Sequence, residues 1–198
     1  MNKIIIIFIL LSCSFYSFGQ QKEEIKLIQA DSTWAKEIIE IPFWFAPEIN
    51  YTGYEDIRFA KGWEKIDSSG FWTYAFAWNI NLKTKPSAKF FEDNLKHYFD
   101  GLMKVVNKDT LFTIPKTKAS FVEKGHKNKV TTFTGTLEIY DAFTTKKVII
   151  LNVIIESYYC RKSKAFVPLL KFSPKDFKHE SWEMLKQVKL YPNFCKEK

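Results

Sequence analysis

Residues 71–81 restrict the fold more than any other stretch of this chain. Trp72, Tyr74, Phe76, Trp78 and Ile80 alternate with Thr73, Ala75, Ala77 and Asn79. A period of two sends the large side chains to one face of a β-strand and the small ones to the other. Such an apolar face must be buried, so a second layer has to cover it. The turn cluster Asp67-Ser68-Ser69-Gly70, with a strand candidate over Asp56–Trp63 before it, predicts a hairpin.

The next segment supplies the covering layer. Pro86-Ser87 marks a helix start with Ser87 as N-cap. Phe91, Leu95, Tyr98, Leu102, Val105 and Val106 then share one face of a helix over about residues 87–106. Gly101 lies inside it, at a cost of about 1 kcal/mol in a helix interior. Lys89, Glu92, Asp93, Lys96, Asp100 and Lys104 form the opposite, solvated face. Further strands are predicted at Glu37–Pro42, Lys118–Glu123, Val130–Tyr140, Lys147–Tyr159 and Phe166–Phe172. The run from Val148 to Ile155 is apolar enough for a strand covered on both faces. A short helix over about residues 180–188 carries Trp182, Leu185 and Val188. The order predicts an α+β fold, a mainly antiparallel sheet of about six strands packed against one long helix. Residues 34–198 read as a single domain behind a polar lead-in over residues 20–33.

The N-terminus carries an address. Met1-Asn2-Lys3 precedes the apolar run Ile4–Leu11, and Ser17 and Gly19 supply small residues before a cut at Gln20. This is the layout of a secretory signal peptide over residues 1–19. Ser12, Cys13 and Ser14 end the run short of the roughly 20 apolar residues of a spanning helix, so no transmembrane span is expected in the mature chain. Lipoprotein processing at Cys13 is the alternative, and the bulky Leu11 and the aromatic Phe15-Tyr16 count against it. Export, periplasmic or extracellular, leaves Cys160 and Cys195 as the two cysteines of the mature chain. In an oxidising compartment they predict a disulfide. Closing that loop of about 35 residues is worth about 3–4 kcal/mol in chain entropy.

Familiar catalytic motifs are missing. The 7 glycines lie too far apart for a P-loop or a dinucleotide fingerprint. The sequence contains neither a G-x-S-x-G elbow nor a C-x-x-C pair. His179-Glu180 opens like a zinc-protease helix, but Glu183 stands where the second histidine belongs. Asp93 and His97 sit four residues apart on the polar helix face, where solvated ion pairing is the default. No metal or cofactor is expected. Asn152 and Glu156 share one face of the long strand and leave room for carboxylate chemistry. The leading expectation is a non-catalytic binding or accessory protein of the cell envelope. The alternative is a small exported hydrolase whose carboxylates or histidines converge only in the fold.

Aromatics and charge give the candidate binding residues. Phe43, Trp44, Trp72, Tyr74 and Trp78 cluster around the first hairpin, and planar rings stack sugars or apolar ligands. Core packing is the weightier reading for the hairpin rings, whereas the stretch Phe43–Pro47, with Pro42 and Pro47 at its ends, reads as an exposed rim. The net charge of +8 is uneven: residues 1–100 hold 11 Lys and Arg against 13 Asp and Glu, and the remainder 19 against 9. Lys124, Lys127, Lys129, Arg161, Lys162 and Lys164 lie near turns and are expected to form one basic edge. Such an edge attracts an anionic glycan, a membrane surface or an envelope protein. Only Arg58 and Arg161 are arginines, which argues against nucleic acid, as does the missing recognition motif.

Overall fold

The structure, a computed structural model, describes residues 27–109 and 111–195. Its elements follow in the order β1 (Ile28–Gln29), β2 (Ala35–Ile41), β3 (Gly53–Phe59), β4 (Tyr74–Ile80) and α1 (Ala88–Val106). Then come β5 (Lys118–Lys127), β6 (Val130–Tyr140), β7 (Val148–Cys160), β8 (Ala165–Ser173), α2 (Glu180–Gln187) and β9 (Lys189–Leu190). Seven strands form an antiparallel sheet in the order β2-β3-β4-β8-β7-β6-β5. The chain lays down β2 to β4 as a meander, crosses to the far edge through α1, and returns strand by strand to set β8 against β4.

The alternation in β4 decides the layering. Tyr74, Phe76 and Trp78 are buried on one face, in one cluster with Phe91, Leu95, Tyr98, Phe99 and Met103 of α1. Each large side chain buried there contributes about 1.5–3 kcal/mol. Ala75 and Ala77 point the other way, and their small size lets Trp182 and Leu185 of α2 join them in a second cluster. Ser87 caps α1, its Oγ accepting the Phe90 N–H at 3.2 Å. The apolar stripe turns toward Phe99 and Met103 instead of continuing to Val105, which is exposed. Gly101 is required by packing: a Cβ there would lie 1.9 Å from the Phe45 carbonyl oxygen. The polar side of α1 is also used, because Glu92 and Asp100 accept the backbone N–H groups of Phe121 (2.9 Å) and Thr117 (2.8 Å). The helix thereby blunts the edge at β5.

Two expectations need correction. The second face of β7 is only partly covered: Ile154 and Tyr158 pack against the second cluster, whereas Val148 and Ile150 at the strand's start are 46% and 56% exposed. β8, next to β4, takes the doubly covered place. Part of the lead-in belongs to the domain: Ile28–Gln29 pairs with Lys189–Leu190 as a separate two-stranded sheet. Leu27 and Ile28 are buried in the second cluster. Residues 1–26, including the expected signal peptide and Cys13, lie outside the described residues. Cys160 and Cys195 stand at disulfide distance, with Cα atoms 5.4 Å apart, and tie the end of β7 to the C-terminal segment. Among the described residues no helix is long and apolar enough to cross a membrane.

Candidate binding surface

The basic residues are arranged by two neighbouring hairpins. Asn128 and Lys129 both have positive φ, at 50° and 64°, and join β5 to β6 as a two-residue turn. That is the geometry that matches the twist of the flanking strands. The β7–β8 turn carries Arg161, Lys162 and Lys164. The two turns lie side by side, since the Tyr159 N–H donates to the Lys129 carbonyl at 3.2 Å. Lys83 joins them from the β4–α1 connection, its Nζ donating to the Ser163 carbonyl at 2.6 Å. Lys127, Lys129, Arg161, Lys162 and Lys164 therefore share one end of the sheet, and Lys124 sits at the nearby bulge between Glu123 and Gly125. The grouping follows the strand ends, across the sheet, and not a sheet edge.

The C-terminal segment reaches the same end. Tyr191 donates its N–H to the Leu27 carbonyl at 2.9 Å, and the chain then runs on to Cys195 beside Cys160. Leu27 itself stays at mid-sheet, its N–H held by the Asp56 carboxylate at 3.1 Å.

The five aromatic candidates divide sharply. Phe43, Trp72, Tyr74 and Trp78 are buried in the core and present no ring to a ligand. Trp44 is 74% exposed. Phe43 and Phe45 turn inward onto Tyr98 at 5.2 Å each, which overrides the exposed rim expected from the flanking prolines. Trp72 holds a left-handed backbone, φ 48°, within a nest of Trp63, Tyr74 and Phe143 rings.

The polar candidates are dispersed. Asp93 is bridged to Lys89 on the helix surface, His97 is exposed, and Asp100 is engaged by Thr117 and Lys116. His179 is the N-cap of α2, its Nδ1 accepting the Ser181 N–H at 3.1 Å. Asn152 donates to the Lys175 carbonyl at 3.0 Å, while Glu156 pairs with Lys171 at 3.1 Å. Among the described residues no group of three or more His, Cys, Asp or Glu is placed to hold a metal ion.

Three ionisable groups escaped the sequence reading. Glu55 is 0% exposed in the aromatic layer, accepting from Trp78 Nε1 at 3.2 Å and Tyr98 Oη at 3.1 Å. Burial pushes its carboxyl up to about 8. Asp56 and Arg58 form a buried ion pair on the opposite face. The Asp56 carboxylate also accepts the N–H groups of Leu27 (3.1 Å) and Ile28 (3.0 Å), and Arg58 donates to the Ile28 carbonyl at 3.1 Å. The signal was available: Glu55 falls in phase with Ile57 and Phe59, on the apolar side of β3. No family model matches the chain, and no curated protein or solved structure is significantly similar to it.

Proposed function

We propose that this chain is an exported, non-catalytic domain that docks on an anionic membrane surface of the cell envelope through its basic sheet end. The observation that carries this reading is the gathering of Lys83, Lys127, Lys129, Arg161 and Lys164 around two adjacent turns. A basic residue near an anionic bilayer contributes about 1 kcal/mol, and the effect fades beyond a Debye length. Five such residues acting together give useful affinity without any shaped pocket. Lysine suits the task, because a membrane presents a field of phosphates and needs no bidentate fork. The signal-peptide layout of residues 1–19 supports export, and so does the Cys160–Cys195 pair, since disulfides persist in oxidising compartments.

Sedimentation with vesicles tests the proposal. Phosphatidylglycerol–phosphatidylcholine vesicles should pull down the protein at low salt and release it as salt rises, while pure phosphatidylcholine should not. Replacing Lys127, Lys129, Arg161 and Lys164 by serine removes about 4 kcal/mol of attraction, roughly a thousandfold in partitioning. Equal binding of the wild-type and the fourfold variant would overturn the reading.

A further inference from the structure

The sheet face opposite α1 carries a groove apart from the basic turns. Beside α2 a groove of about 350 Å³ opens over β6, β7 and β8. Thr134 and Ile154 form one wall, and Phe177, Trp182 and Leu185 form the other. Lys171 lines the groove although it is only 5% exposed, and its Nζ lies 3.1 Å from Glu156 Oε2. The Tyr158 hydroxyl donates to the same carboxylate oxygen at 2.9 Å. Phe177 leans on Trp182, with ring centroids 4.6 Å apart, yet remains 43% exposed at the lip.

Stability alone is a poor reason to keep such an ion pair. Taking two charges out of water offsets much of their attraction, and apolar replacements are often as stable. The arrangement has a use as a recognition floor. It offers an acceptor and a donor side by side, balanced in charge, below an aromatic edge, and Lys186, which also lines the groove, is bridged to Glu183. A small anion would have to displace Glu156 from Lys171, and an aliphatic chain would strand both charges. Two neighbouring hydroxyls of a sugar ring satisfy the pair, one donating to Glu156 while the other accepts from Lys171. The apolar C–H face of the ring then covers Phe177. The volume lies at the small end of ligand pockets, which run to about 300–1,000 Å³, and suits a single ring.

We infer that the groove between α2 and the open face of β6–β8 is a saccharide subsite that receives one pyranose unit, with Lys171 and Glu156 as its polar floor and Phe177 as its stacking edge. Amide and indole NMR shifts, recorded while the full mature chain is titrated with glucose, galactose and N-acetylglucosamine, test it. At least one sugar should move the Trp182 indole, Ile154 and Lys171 signals in the millimolar range. Phe177→Ala, a surface change that leaves the core intact, should weaken that sugar about tenfold, as should Lys171→Met, by losing a charge-assisted hydrogen bond. Wild-type circular dichroism of both variants separates lost binding from lost folding. Shifts confined to other regions, no shift with any of the three sugars, or unchanged affinity in Phe177→Ala would overturn the inference.

Discussion

Glu55 and Asp56 follow one another in β3, and the pleat sends them to opposite faces of the sheet. Glu55 enters the layer packed by α1, where Trp78 and Tyr98 donate to it and, among the described residues, no cation pairs with it. Asp56 enters the layer packed by α2 and meets Arg58 together with two backbone N–H groups. The first carboxyl is pushed toward the neutral acid. The second is used as an anion that fastens β1 to the sheet. Two adjacent acids thus teach that the α1 face is a dry, closed interior, whereas the α2 face is built with charge and left open beyond α2.

The largest expected effect comes from the closed face. Unfolded Glu55 titrates near its ordinary value of 4.5 and folded Glu55 near 8. Between these values the folded chain holds a proton that the unfolded chain has released. Its stabilising effect is complete below about pH 4.5 and is lost as pH rises through 8, a change of roughly 3–5 kcal/mol. Urea melts across this range should show the fall, and Glu55→Gln should flatten it. A flat wild-type profile would place a cation or water beside Glu55 and break the contrast between the faces.

On the other face, Asp56→Ala leaves Arg58 buried without its carboxylate, and the N–H groups of Leu27 and Ile28 lose their acceptor. Breaking a buried pair from one side costs about 3–5 kcal/mol. Arg58 keeps the Ile57 carbonyl as an acceptor at 2.8 Å, which favours the lower figure. Amide exchange at Leu27 and Ile28 should accelerate in the same variant. If stability fell while those amides stayed protected, the anchoring role would be wrong.

Gly101→Ala sharpens the picture of close packing on the α1 face. Helix propensity alone would favour alanine by about 1 kcal/mol. Contact with the Phe45 carbonyl, at 1.9 Å from the added Cβ, reverses that sign and should cost about 1–3 kcal/mol. A stabilised variant would mean that the Phe43–Phe45 segment does not press on the helix.

Local patterns carried most of the fold. The period of two in β4, the Ser87 cap of α1 and the paired cysteines each express short-range or compartment rules and appear where expected, while the stripe of α1 holds for Phe91, Leu95 and Tyr98 and then turns to Phe99 and Met103. β5 runs four residues beyond the expected Glu123 because a bulge at Gly125 carries pairing through a lysine-rich stretch that reads as a turn. The β1–β9 pairing joins residues about 160 positions apart, and no periodicity announces a partner at that distance. The same limit hid the groove, since Glu156 was visible as a strand acid but Lys171 and Phe177 reach it only through β8 and the approach to α2. The basic residues were legible as clusters, and their meeting depended on which strand ends lie together.

Hydrogen exchange of the protein on phosphatidylglycerol–phosphatidylcholine vesicles tests the central claim most directly. Docking by the basic end predicts slowed exchange around residues 124–130 and 159–166, with no change along the exposed strand start at Val148–Ile150. Protection centred on Val148–Ile150 or on the loop at Leu111–Phe112, with the two turns unaffected, would contradict it.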